Sequence, residues 1–210
     1  MTRGLMRAES VEARALRQAQ GTSRTKVVGV LVAIALVGIS AVGLRLSDPD
    51  EKRFEVIRGV PGEPVSINNG ELTVTQVRVG TVLVESDQIQ DRTAGMFVAV
   101  SLTGAATGPK PLQLGAARLL SKQVRYDSYR IGAGASADPG FQTGVDVLFE
   151  VDPAQIDDLT LEMWPNEVIT GYQQRVRIPL GITAGNAAEW HATARGHAIE
   201  PSRSTTGAIP

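Results

Sequence analysis

Met96-Phe97-Val98-Ala99-Val100-Ser101-Leu102 alternates without a break. Met96, Val98, Val100 and Leu102 fall on one face, with Phe97, Ala99 and Ser101 on the other. A period of two belongs to a β-strand, whose successive side chains point to opposite sides. The pattern recurs downstream. Val145, Val147, Phe149 and Val151 alternate with Asp146, Leu148, Glu150 and Asp152, and Leu159, Leu161 and Met163 with Thr160, Glu162 and Trp164. Val176, Ile178, Leu180 and Ile182 close the series, with Arg175 and Arg177 turned outward.

Upstream, Phe54 and Val56 open a strand, and Val65-Ser66-Ile67 forms a short one. Asn68-Asn69-Gly70 is a tight-turn signal, with Asn-Gly supplying positive φ. Glu71–Val84 is a long β stretch whose phase slips between Val74 and Val77, which predicts a bulge near Thr75-Gln76 or a corner where the strand changes sheet, and a second bend at Gly80. Glu85–Gly95 and the Gly/Ala-rich run Tyr129–Ala137 read as loops. The sum is about seven or eight short strands with turn signals between them and no long helix. That is the pattern of an all-β, immunoglobulin-like antiparallel sandwich over residues 54–183. A parallel α/β fold would need amphipathic crossover helices, and the sequence has none there.

Before the sandwich lies Val27–Leu44, eighteen residues without a charge. As a helix it spans roughly 27 Å, near the roughly 30 Å of a bilayer's hydrocarbon core. Residues 1–26 hold six basic and two acidic side chains, a net of +4, in a chain whose total is −1. A basic head beside an apolar run predicts a cytoplasmic N-terminus and an extracytoplasmic C-terminal domain. Ala41-Val42-Gly43 would serve as a cleavage site, so a discarded export signal is the alternative. The length of the run and of the 26-residue head favours a retained anchor. Residues 4–20 read as a short cytoplasmic helix, 45–53 as a polar linker, and 184–210 as a disordered tail.

There is no cysteine, which excludes thiol catalysis, Cys-ligated zinc and attachment through a lipidated cysteine. The two histidines, His191 and His197, match no compact metal motif. Gly132-Ala133-Gly134 lacks the lysine and helix of a phosphate loop. Asp146, Glu150 and Asp152 read as an outer sheet face. Arg118, Lys122, Arg125 and Arg130 form a basic cluster that could contact a partner protein or an acidic envelope polymer. Gly29, Ala33, Gly38 and Ala41 would let another helix approach the anchor closely.

PGEPVSINNGELTVTQVRVG (61–80), GMFVAVSLTGAATGPKPLQLGAARLLSKQVRYDSY (95–129) and TGVDVLFEVDPAQIDDLTLEM (143–163) together resemble the uncharacterised immunoglobulin-like modules of bacterial secreted and membrane-anchored proteins. The resemblance covers about residues 60–182. Thr103-Gly104 stands where that type usually has Asn. It implies architecture and location, with no catalytic residues to carry over.

The expectation is therefore a non-catalytic, single-pass protein of the bacterial plasma membrane, binding or scaffolding an envelope component. Its partners would be the lipid bilayer and a membrane or envelope protein, without nucleic acid, cofactor or metal. The alternatives are an accessory subunit of a transporter or glycosyltransferase complex working through its anchor helix, and an envelope hydrolase.

Overall fold

The computed structural model describes residues 54–122, 124–129, 134–165 and 174–210. The basic head, the expected anchor Val27–Leu44 with its expected packing residues Gly29, Ala33, Gly38 and Ala41, the expected linker 45–53 and Arg130 lie outside the described residues. Among the described residues no helix is long and apolar enough to cross a membrane.

In chain order the strands are β1 (Glu55–Arg58), β2 (Val65–Ile67), β3 (Gly70–Glu85), β4 (Gln88–Ala105), β5 (Leu112–Leu114), β6 (Ala116–Ser121) and β7 (Val124–Asp127). They continue as β8 (Ala135–Ala137), β9 (Phe141–Val151), β10 (Asp158–Trp164) and β11 (Gln174–Thr183). A helix, α1 (Ala187–Ala194), precedes β12 (Ala198–Ile199) and β13 (Thr205–Ala208).

Two sheets form a sandwich. One has the order β1-β11-β10-β6-β7, the other β12-β3-β4-β9-β13, with β2 also on β3. β5 and β8 make a separate two-stranded sheet. The core fills as the alternation requires. Met96, Val98, Val100 and Leu102 of β4 and Val147, Phe149 and Val151 of β9 face Leu119, Leu161, Met163, Val176 and Ile178 across the gap. The central pairings are antiparallel, as expected. Two flanking pairs depart from that pattern: β1 runs parallel to β11 and β12 parallel to β3.

The register of β3 against β4 shifts between Val74 and Gln76 and again between Gly80 and Val82, at the two expected irregularities. The turn before β3 works differently from the sequence reading. Asn68 carries the positive φ, at 50°. Gly70 instead lacks a Cβ because the carbonyl of Ala105 passes against it. Glu85–Gly95 is no loop: β3 and β4 continue as a hairpin that turns at Ser86-Asp87, both at positive φ.

The largest correction concerns residues 184–210, which form part of the compact unit ending at Pro210. Asn186 fastens the start of α1: its side chain accepts from the Thr183 N–H at 2.7 Å and donates to the Gly181 carbonyl at 2.9 Å. β12 then joins one edge of the six-stranded sheet and β13 the other, so the intervening chain crosses the sheet's outer face. The physical reason lies in the central strands. Phe97, Ala99 and Leu148 sit at outward positions of β4 and β9, and Ile199 covers them together with Leu83 in a second buried cluster. Ile199, two short backbone ladders and the packing of Ala187, Ala194 and Trp190 on the main core order a segment whose apolar content looked too low to pack. Gly80 provides the clearance, since a Cβ there would lie 2.6 Å from the His197 carbonyl and 2.8 Å from Ile199 Cγ1.

Candidate functional site

The most unusual chemistry lies on the outer face of the five-stranded sheet. Glu162 of β10 stands directly opposite Arg118 of β6 on one side and Arg177 of β11 on the other. Extending the register places Asp127 opposite Arg118 and Arg58 beside Arg177. One row of charged residues thus crosses all five strands.

Glu162 is its centre, with its side chain fully buried. Arg118 Nε donates to its Oε2 at 2.6 Å, Arg175 Nη1 to the same oxygen at 3.1 Å, and Arg177 Nε to Oε1 at 2.8 Å. The three guanidinium-bearing side chains are themselves only 13%, 10% and 7% exposed. Buried charges persist only when they are paired and hydrogen-bonded, and each carboxylate oxygen here is engaged. Aromatic rings flank the cluster. Arg175 Cζ lies 3.5 Å from the Phe54 ring centroid, and Arg118 and Arg175 each lie 5.0 Å from the Trp164 ring. Arginine stacks on such faces favourably because the ring quadrupole attracts the cation.

The basic cluster expected from sequence is divided by this arrangement. Arg118 is drawn into the Glu162 network. Lys122 is 70% exposed and pairs with Asp157 at 3.3 Å. Arg125 lies opposite Leu120 on β7. Sequence reasoning placed Arg175, Arg177, Glu162 and Trp164 outward but saw no connection among them. The signal was an outward acid on one strand and outward arginines on two others, legible only once β10 is known to lie between β6 and β11.

The carboxylates of β9 part ways. Asp146 is not solvated: its side chain is 3% exposed, ion-paired with Arg78, and accepts from the Ser202 N–H at 2.6 Å. Burial pushes its pKa up, but hydrogen bonds from Ser101 and Ser202 and the Arg78 charge prevail and hold it below 3.8. Glu150 accepts from the Thr93 hydroxyl at 2.5 Å on the wall of an open depression of about 550 Å³ that also includes Arg92 and Asp152. Nearby, the Tyr129 hydroxyl donates to Asp91 and, with the Arg92 N–H, lowers that carboxyl's pKa. Tyr126 is shifted upward, chiefly by burial. Among the described residues no three His, Cys, Asp or Glu side chains are arranged to hold a metal. His191 lies on α1, and His197 bonds its ring to the Thr193 carbonyl.

No protein-family model and no curated protein matches the chain. Among solved structures it is similar to the candidate lipoprotein ycdA from Bacillus subtilis, with a TM-score of 0.43 and 13% identity over 56% of this chain. The chain spans 38% of that protein's length. It is also similar to an uncharacterised β-sandwich protein from Clostridium difficile, with a TM-score of 0.42 and 12% identity over 63% of this chain and 99% of the other.

Proposed function

We propose that this chain is a non-catalytic binding or scaffolding protein of the bacterial cell envelope, anchored by Val27–Leu44 as a single-pass helix with its N-terminus in the cytoplasm and an immunoglobulin-like sandwich outside. The observation that carries the binding role is the row Asp127–Arg118–Glu162–Arg177–Arg58, flanked by Trp164 and Phe54. The centre of the row is buried and held by the Glu162 network, and its ends, Asp127 and Arg58, are exposed to a partner. Arginine and tryptophan are the residues most often found at the centres of protein interfaces, and pre-ordered side chains reduce the entropy lost on docking. The anchor reading rests on the uncharged run and the basic head.

The test is cross-linking in intact membranes with the full chain, followed by identification of the attached protein. Arg58→Glu and Asp127→Lys, at the two exposed ends of the row, should each abolish the major cross-link while leaving the denaturation midpoint of the sandwich nearly unchanged. Retention of every cross-link in both variants would overturn the assignment of this face. Protease added to intact cells should cut the sandwich and spare the head; the reverse pattern would overturn the topology.

A further inference from the structure

We propose that β13 exchanges between two copies of this chain, so that Thr205–Ala208 of one copy completes the β9 edge of the other. The crossing segment is held very unevenly. Its first half is locked: Ile199 is 2% exposed, and the Ser202 N–H is fixed to Asp146. Its second half is not. All four β13 residues are exposed, and the hold of this half is a short antiparallel ladder on β9, a hydroxyl contact between Thr143 and Thr206 at 3.4 Å, and one bond from the half-buried Ile209 N–H to the Gly140 carbonyl at 3.0 Å. Arg203-Ser204 lies between the halves and belongs to no strand. β13 can therefore swing away at that point without opening either buried cluster.

Release would leave β9 with a row of unpaired backbone groups, an edge that readily accepts another strand. The edge is shaped for this particular sequence. Gly144 stands opposite Thr205, and a Cβ at Gly144 would lie 3.0 Å from the Thr205 hydroxyl. A strand that fits in trans as well as it does in cis is thus the same strand from a second copy. Because the bonds are identical in both arrangements, exchange costs little beyond association, and local concentration decides the outcome.

The chain has no cysteine, so introduced thiols report without interference. Thr143→Cys and Thr206→Cys are placed in differently tagged full-length copies, co-expressed and oxidised in membranes. Exchange predicts a reducible mixed dimer, several-fold more abundant than either same-site dimer. The double variant T143C/T206C in a single chain should likewise give covalent dimers. The proposal is overturned if the double variant closes wholly within one chain and the mixed dimer is absent, or if mixed dimers are no more abundant than same-site ones.

Discussion

The two sheets cover the outsides of their central strands by opposite means. The five-stranded sheet places Glu162 among three arginines, so that charge satisfies charge within the sheet's own side chains. The six-stranded sheet presents Phe97, Ala99 and Leu148, and needs a separate piece of chain to bring Ile199 over them. A self-contained polar network is rigid and intolerant of losing a member. A borrowed cover is held by several separate contacts, Ile199, two short ladders and the Ser202–Asp146 bond, and can be weakened in steps.

The sharpest way to break the comparison is Glu162→Leu. It leaves three guanidinium groups packed together without their shared carboxylate. Removing one partner of a buried charge pair typically costs about 3–5 kcal/mol, and denaturant titration of the full chain should show a loss of that size. A loss under about 1 kcal/mol would mean that the network is not the keystone of that face. On the other sheet, Ile199→Ala should cost about 2–3 kcal/mol, the lower part of the range for such truncations, because the segment that carries it can settle around the missing atoms. Hydrogen exchange should localise the effect to residues 197–208 and the outer positions of β4 and β9. If exchange instead accelerates evenly through the core, the segment is no separable cover.

Asp146→Asn tests the carboxylate fastening of that cover, which holds the Ser202 N–H beside the Arg78 donation to the Glu200 carbonyl. At neutral pH it should cost about 1.5 kcal/mol, the scale of a hydrogen bond to a charged group. The pH dependence follows from the sign of the shift. The folded pKa lies below the ordinary 3.8, so the carboxylate contributes its stability above that pH and loses it as pH falls through the lowered value. The wild type should therefore lose more stability than the variant from about pH 3.8 downward; parallel acid limbs would show that Asp146 does not hold the segment. The smallest effect belongs to Lys122→Ala. Its ion pair with Asp157 is solvent-exposed on both sides, and a change below about 1 kcal/mol is expected from thermal melts.

What the sequence made legible was whatever depends on near neighbours along the chain. The alternation at Met96–Leu102 located a central strand and its core face, and the phase slip beyond Val74 located a real irregularity. What it hid depends on which strands become neighbours. Glu162 meets Arg118 and Arg177 only because β10 lies between β6 and β11, an adjacency between residues 44 and 15 positions apart. The covering segment was missed for a related reason. Ala198–Ile199 is too short to show a period, and its signal lay elsewhere, in Phe97 and Leu148 at outward positions of strands otherwise patterned for a single buried face.

The parallel pairing of β1 with β11 and of β12 with β3 bears on when the protein can finish folding. Glu55 waits for Gln174, and Val82 for Ala198. Contacts separated by more than a hundred residues are slow to form, since a long loop must close before they reward the chain. During synthesis the strands β3, β4 and β9 emerge with Phe97 and Leu148 bare, and they stay bare until Ile199 follows. The exposed interval is thus set by how late Ile199 is made, and a chain cut short before residue 199 would present an adhesive outer face.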